Sequence, residues 1–214
     1  MDAVLKDILE SPRLHDYVNE LQQYLLEEDS KRKAFYQNMR DDEKVEFING
    51  EVVYHSPAKY KHTQLVENIA SVLTRFVRKN NLGQVLREKA LVKLRRNDFE
   101  PDICFFRKEI SDAFEPNTMF YPVPDFVVEV LSDSTERIDR GVKRIDYALN
   151  RVKEYWLVDA DKKFIEQYIL QTDEFELAEK IQHGTVRCKV LDGLIIPLKA
   201  IFDEDKNEEF LRKI

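Results

Sequence analysis

The stretch Pro124-Asp-Phe-Val-Val-Glu-Val-Leu131 decides the fold of this chain. From Phe126 onward it is apolar except for Glu129. A continuous apolar run of this length, between a proline and the polar Ser132-Asp-Ser, is typical of a strand covered on both faces. We therefore predict a central strand at 125–131 that carries one interior carboxylate.

Helices and strands alternate around this central strand. Apolar residues between 59 and 80 recur at intervals of three and four, which predicts an amphipathic helix closing at Gly83. We predict strands at 84–95, 101–106 and 154–159, a long irregular loop at 107–123, and a helix at 135–149. The buried side of that second helix is predicted to include Ile138, Val142, Ile145 and Leu149, with the neighbouring Tyr147 and Ala148. The order αβββαβ predicts an α/β fold, a mixed sheet flanked by helices.

Peripheral elements complete the predicted architecture. Asn49-Gly50 between two apolar segments predicts a β-hairpin, a second hairpin is expected at 163–182, and a last strand at 186–191. Helical spacing over residues 1–30, interrupted by Pro12, predicts a helical extension. We therefore divide the chain into an N-terminal helical extension, 1–40, and a main domain, 41–214.

Composition excludes several classes of protein. The chain has 214 residues, of which 43% are hydrophobic, enough for one sizeable core. No apolar run approaches the roughly 18 residues that span a bilayer, and the start lacks the layout of a signal peptide, so we expect a cytoplasmic protein. Cys104 and Cys188 are the two cysteines, far apart in sequence, which gives little support for a disulfide framework or a zinc site.

The charge distribution is uneven. The net charge of −7 argues against nucleic-acid binding, yet residues 58–108 carry 12 basic and 5 acidic side chains. Residues 109–133 carry 6 acidic side chains and no basic one. The basic segment is either the solvated face of a helix and a strand or a phosphate-binding surface. Its candidate nucleic-acid contacts are Arg75, Arg78, Lys79, Arg95 and Arg96.

Two carboxylates lie where a charge is costly. Glu129 interrupts the central strand, and Asp102 opens the strand before it. Side-chain alternation allows neighbouring strands to bring the two within about 5 Å of each other. Two carboxylates, waters and a substrate phosphate suit Mg²⁺. The structural alternative is that Glu129 pairs with a helix arginine and Asp102 caps a turn after Pro101.

Lys143 is the third candidate. Lys143 lies about 13 Å along the predicted helix 135–149, which runs back over the sheet after the central strand. This length places Lys143 over Glu129. There its positive charge would favour hydroxide and stabilise the charge of a phosphorane. The alternative is a solvated helix lysine.

Together these residues resemble a known superfamily. Glu-Pro-Asp102 followed by Glu129-Val-Leu131 in the order above resembles the PD-(D/E)xK nucleases, which implies that the mixed sheet flanked by helices has a restriction-endonuclease-like fold. Several further segments make residues 43 to 170 resemble the bacterial Uma2 family of predicted restriction endonucleases: Phe47-Ile-Asn-Gly-Glu51, Ser56-Pro57 with His62, Pro124-Asp-Phe-Val-Val-Glu-Val-Leu-Ser-Asp-Ser-Thr135, Asp139-Arg-Gly-Val-Lys143 with Tyr147, and Glu154-Tyr-Trp-Leu-Val-Asp159.

The resemblance implies roles for particular residues. It implies metal ligands at Asp102 and Glu129, a catalytic lysine at Lys143, and a Mg²⁺-dependent endonuclease acting on DNA, with Mn²⁺ as a substitute. The superfamily lysine position two residues after the glutamate is Leu131, so the helix must supply the lysine. Glu46 and His62 match family positions and are candidate accessory residues. Taken alone, Glu46 is more typical of an exposed hairpin charge and His62 of a local hydrogen-bonding residue.

Two further classes of function compete with a nuclease. A non-catalytic nucleic-acid-binding or dimerisation module that keeps the fold would explain the negative net charge and the lack of a DNA-reading motif. A P-loop or Rossmann enzyme is set aside because the sequence has no glycine-rich loop. Cleavage of two strands needs two active sites, which by fold-level analogy favours a homodimer.

Overall fold

The structure, a computed structural model, describes residues 3–40 and 43–214. Two helices come first, α1 (Ala3–Glu10) and α2 (Leu14–Asn38), separated at Pro12 as predicted. The predicted domain boundary at 40/41 adjoins residues 41–42, which lie outside the described residues. Among the described residues, no helix is both long and apolar enough to cross a membrane.

A six-stranded mixed sheet forms the centre of the fold. Its strand order is β11-β10-β9-β8-β6-β3. The strands are β3 (Gly83–Arg87), β6 (Ile103–Arg107), β8 (Phe126–Val130), β9 (Glu154–Asp159), β10 (Phe164–Gln171) and β11 (Glu174–Ile181). The central strand β8 pairs antiparallel with β6 and parallel with β9. Every residue of β8 is buried, as its apolar sequence predicts.

A second, five-stranded sheet has the order β2-β1-β5-β4-β7. Its strands are β1 (Val45–Ile48), β2 (Glu51–Tyr54), β4 (Leu91–Lys93), β5 (Asp98–Phe99) and β7 (Phe120–Tyr121). The predicted hairpin of β1 and β2 is confirmed, with Asn49 and Gly50 both at positive φ. The prediction of one strand at 84–95 is wrong, because Lys89 turns the chain at φ 65° from the first sheet into the second.

Helices cover the faces of the central sheet. The predicted amphipathic helix is α3 (Tyr60–Lys79), which packs with two C-terminal helices, α7 (Leu198–Phe202) and α8 (Glu204–Leu211), over one core of the sheet. A small C-terminal ribbon joins β12 (Thr185–Arg187) to β13 (Ile195–Pro197), where only part of the predicted strand at 186–191 forms. The predicted loop at 107–123 contains one helical turn, α4 (Lys108–Ser111), and β7.

The second predicted helix is interrupted. It comprises α5 (Glu136–Ile138), a kinked turn (Asp139–Lys143) and α6 (Arg144–Leu149). Gly141 in this turn has φ −101° and ψ −105°, outside the helical region, so the helix kinks and the side chains after it change register. Ile145 and Leu149, predicted to be buried, are consequently 56% and 51% exposed, whereas Tyr147 and Ala148 are buried as expected. This helix and the second sheet enclose the other core of the molecule.

The C-terminal half of α2 packs on the main domain. Phe35 is buried with Val45, Phe47 and Leu91. The guanidinium of Arg32 binds the buried carboxylate of Asp98, at 2.7 Å and 2.5 Å. The N-terminal half of the predicted extension is different, since large apolar side chains between residues 4 and 26 stay exposed.

Candidate active site

Asp102 and Glu129 meet at one end of the central sheet. Asp102 lies just before β6, and Glu129 is the fourth residue of the neighbouring β8. The backbone N–H of Asp102 donates to Glu129 Oε2 at 3.3 Å, and the N–H of Val130 donates to Asp102 Oδ2 at 2.8 Å. The predicted approach of these two residues is therefore present in the structure. Their roles as metal ligands stay predictions.

Lys143 lies beneath the same end of the sheet and is 2% exposed. Its Nζ lies 3.0 Å from Glu129 Oε1 and 2.8 Å from Glu46 Oε1. The hydroxyl of Tyr147 also donates to Glu129 Oε1, at 3.2 Å. The interpretation of Lys143 as a solvated helix lysine is wrong, and Glu129 pairs with this lysine rather than with an arginine.

Glu46 belongs to the cluster as well. The expectation of an exposed hairpin charge is wrong, because β1 lies inside the second sheet, between β2 and β5, and Glu46 is 0% exposed. Its carboxylate accepts from the backbone N–H of Glu100 and contacts His55 Nε2, each at 2.9 Å. Burial alone would raise the pKa of Glu46, but Lys143 and His55 lower it to about 2.

The outer side of Asp102 faces a lysine and a histidine. Lys44 Nζ lies 3.0 Å and His62 Nε2 lies 3.2 Å from Asp102 Oδ1. Burial opposes ionisation, yet the hydrogen bond from His62 and the charge of Lys44 hold the pKa of Asp102 below its usual value. His62, in the first turn of α3, is thus tied to a residue distant in sequence. Sequence reasoning missed Lys44 and His55, which belong to no recognisable motif. It assigned no role to Asp139, although Asp139 begins one of the segments that resemble the family.

The cluster has more carboxylates than ammonium groups. Carboxylates of Glu46, Asp102, Glu129 and Asp139 surround the ammonium groups of Lys44 and Lys143. Burial and the neighbouring carboxylates raise the pKa of Glu129 to about 8 despite Lys143. Burial likewise raises the pKa of Asp139.

One buried oxygen in this cluster lacks a hydrogen bond. Asp139 Oδ1 lies 3.4 Å from the Lys143 ammonium, yet it accepts no hydrogen bond from the residues that the structure describes. Surplus buried carboxylate oxygens are the donor set that a hard divalent cation prefers. The residues present therefore fit Mg²⁺ or Mn²⁺.

Asp102, Glu129, Asp139 and Lys143 line the floor of an open cleft of about 860 Å³, which Glu46 does not reach. Its rim carries several lysines from distant parts of the chain: Lys44, Lys59, Lys61, Lys89 and Lys162. The rim also carries aspartates, and three of the lysines pair with them: Lys59 with Asp133, Lys61 with Asp161 and Lys162 with Asp159. A phosphodiester entering the cleft would therefore compete with these carboxylates for the lysines.

The structure divides the predicted nucleic-acid-binding residues into two groups, away from the carboxylates. Arg75, Arg78 and Lys79 lie near the C-terminal end of α3, where Arg78 and Lys79 are exposed. Arg78 follows His62 by 16 positions, which corresponds to about 24 Å of helix between the two residues.

The second group lies in the turn between β4 and β5. There Arg96 binds the carboxylate of Glu28 on α2 at 2.8 Å, and Arg95 is exposed beside it. Neither group lies at the carboxylate floor, so a role for either in binding nucleic acid stays a prediction.

Comparisons with known proteins agree with this architecture. The family model Uma2, described as "Putative restriction endonuclease", matches residues 28–199. A crystal structure of "a putative nuclease belonging to DUF820" from Anabaena variabilis ATCC 29413 is similar, with a TM-score of 0.68 and 18% sequence identity. The match covers 78% of this chain and 94% of that one. No curated protein matches the chain. The restriction-endonuclease-like fold is therefore confirmed.

Proposed function

This chain belongs to the Uma2 family of restriction-endonuclease-like proteins, and we propose that it is a divalent-metal-dependent nuclease that hydrolyses phosphodiester bonds of DNA. The family and the fold support a nuclease. The observation that carries the proposal is the contact of Lys143 with Glu129, which is itself bonded to Asp102, at the floor of a lysine-rimmed cleft.

In this proposal Asp102 and Glu129 hold the cation, and Glu46 and Asp139 are nearby carboxylates that add negative charge. A bound Mg²⁺ or Mn²⁺ would polarise the phosphodiester and promote ionisation of an attacking water. Backbone amides fix the two ligands, since the N–H of Val130 orients Asp102 and the N–H of Asp102 orients Glu129. This fixed arrangement lowers the cost of organising the site for each reaction.

Lys143 acts through its charge. Burial disfavours an ammonium, but Glu129, Glu46 and Asp139 raise the pKa of Lys143 well above its ordinary value. At neutral pH the side chain is therefore protonated and does not serve as a base. It orients Glu129 and Glu46 and stabilises negative charge that develops on the phosphate.

We propose double-stranded DNA as the substrate and a homodimer as the working form, because cleavage of both strands needs two sites. The lysines at the rim of the cleft support a polyanionic substrate. A cytoplasmic location fits this substrate and remains part of the proposal.

The test is a cleavage assay on plasmid and linear DNA with Mg²⁺ or Mn²⁺. Lys143→Met is expected to lower turnover by about 100-fold or more, the usual scale for removing one electrostatic catalyst. Lys206→Met is the matched control, since Lys206 is an exposed helix lysine paired with Glu209. Glu129→Gln, which keeps the side-chain shape, should be equally inactive. Wild-type turnover in either site variant would contradict the proposal.

A further inference from the structure

A second group of metal-ligating side chains lies on the outer side of Asp102. Ligand atoms of His62, Glu88 and Asp102 all lie within 4.8 Å of one another. Glu129 does not belong to this group, because its oxygens face Lys143, Tyr147 and the backbone of Asp102. The two groups share only Asp102.

The backbone places Glu88 beside Asp102. The N–H of Glu88 donates to the carbonyl of Asp102 at 3.3 Å, just after β3 ends at Arg87. Lys89 then turns the chain at φ 65° toward the second sheet. Arg87 pairs with Ile103 in the antiparallel register of β3 and β6, so Glu88 is the next residue and lies opposite Asp102.

A cation already complements this side of Asp102. The Lys44 ammonium lies 3.0 Å from Oδ1, the same oxygen that His62 contacts. Glu88 and Lys44 both line the open cleft, and the Lys44 side chain is 23% exposed. Lys44 can therefore move into the cleft while Glu88 rotates inward. Neighbouring ligands about 2.1 Å from one ion lie about 3 Å apart, so only small side-chain movements are required.

We propose that His62, Glu88 and Asp102 form a second divalent-cation site, distinct from the Asp102 and Glu129 pair, that binds Mn²⁺ through one imidazole nitrogen. This inference rests on the proposed function, since Asp102 serves both sites. An imidazole ligand suits Mn²⁺ and later transition metals better than Mg²⁺, which prefers oxygen. Two cations sharing one carboxylate is the arrangement of two-metal phosphodiesterases.

The test uses pulsed electron paramagnetic resonance on the full chain loaded with Mn²⁺ alone. Bound Mn²⁺ should show coupling to a ¹⁴N nucleus, and histidine labelled with ¹⁵N should replace that coupling without any substitution in the chain. His62→Gln should abolish the coupling, while His183→Gln, on the exposed turn after β11, should keep it. Glu129→Gln should also keep it, because this second site does not use Glu129.

Three results would overturn the inference. Mn²⁺ that binds without nitrogen coupling would leave the Asp102 and Glu129 site standing and exclude the second one. Coupling that disappears in His55→Gln but persists in His62→Gln would assign the nitrogen to the histidine beside Glu46. No Mn²⁺ binding at millimolar concentration would overturn the proposed function as well.

Discussion

At the scale of the residue, Lys143 shows what a sequence can and cannot reveal. The length of helix that brings Lys143 back to Glu129 could be calculated from the sequence, and Lys143 Nζ does lie 3.0 Å from that carboxylate. The burial of Lys143 could not be predicted, because the helix kinks at Gly141, where φ is −101° and ψ is −105°, and no spacing rule predicts that kink. The burial of Glu46 could not be predicted either, because the alternating sequence of a hairpin does not show which other strands will pair with it.

The first prediction concerns the stability that Lys143 provides. Lys143→Met leaves three buried carboxylates without their shared cation, and removing one partner of a buried ion pair costs about 3–5 kcal/mol. We expect a decrease of about 3 kcal/mol in the free energy of unfolding, measured by urea denaturation without metal. Adding Glu129→Gln to this variant should recover part of that decrease. A change in the free energy of unfolding within about 0.5 kcal/mol would instead support the interpretation of Lys143 as a solvated helix lysine.

At the scale of the element, the order αβββαβ was predictable because hydrophobic periodicity separates long helices from buried strands. The apolar run of β8 and the spacing of α3 were sufficient for these two elements. The division of 84–95 into β3 and β4 was not predictable, because alternation continues through Lys89 although the chain there changes sheets. Short elements such as β5 and β7, two residues each, depend on their partners and leave no local pattern.

The second prediction concerns the start of β3. Gly83 has φ +139°, and a Cβ there would lie 2.1 Å from the carbonyl oxygen of Phe106 on β6. Gly83→Ala should therefore lower the free energy of unfolding by more than about 2 kcal/mol, because a rigid backbone atom must move. Gly184→Ala is the control, since Gly184 has φ +82° but open space around it, and about 1 kcal/mol is expected. Equal decreases in the free energy of unfolding of the two variants, measured by thermal or urea denaturation, would contradict this account.

At the scale of the whole molecule, uneven charge along the sequence did not locate the cleft. The basic segment 58–108 folds into several places: the two ends of α3, the β4–β5 turn and the connection after β3. Arg96 in the β4–β5 turn pairs with Glu28 on α2, so neutralising Arg96 would also disturb the packing of α2 on the main domain. The lysines of the cleft rim come from distant segments, and a linear charge count cannot combine them.

The third prediction follows from that distribution. Replacing Lys59, Lys61 and Lys162 at the cleft rim by Gln should reduce the salt dependence of DNA binding, by about 0.9 in log–log slope for each phosphate that is no longer neutralised. The matched triple replacement of Arg75, Arg78 and Lys79 should change the slope less, because these residues lie toward the far end of α3, about 24 Å along the helix from His62 to Arg78. Fluorescence anisotropy at several salt concentrations measures both slopes. A larger effect of the second triple would place the DNA on that end of α3.

The most direct measurement of the central claim is an anomalous difference map from a crystal of this protein soaked in Mn²⁺. The account predicts a peak about 2–2.5 Å from a carboxylate oxygen of Asp102, and its disappearance in Asp102→Asn crystals soaked identically. A map without a peak in the cleft lined by Asp102 and Glu129, or a peak unchanged in Asp102→Asn, would contradict the assignment of these carboxylates to a metal-dependent nuclease site.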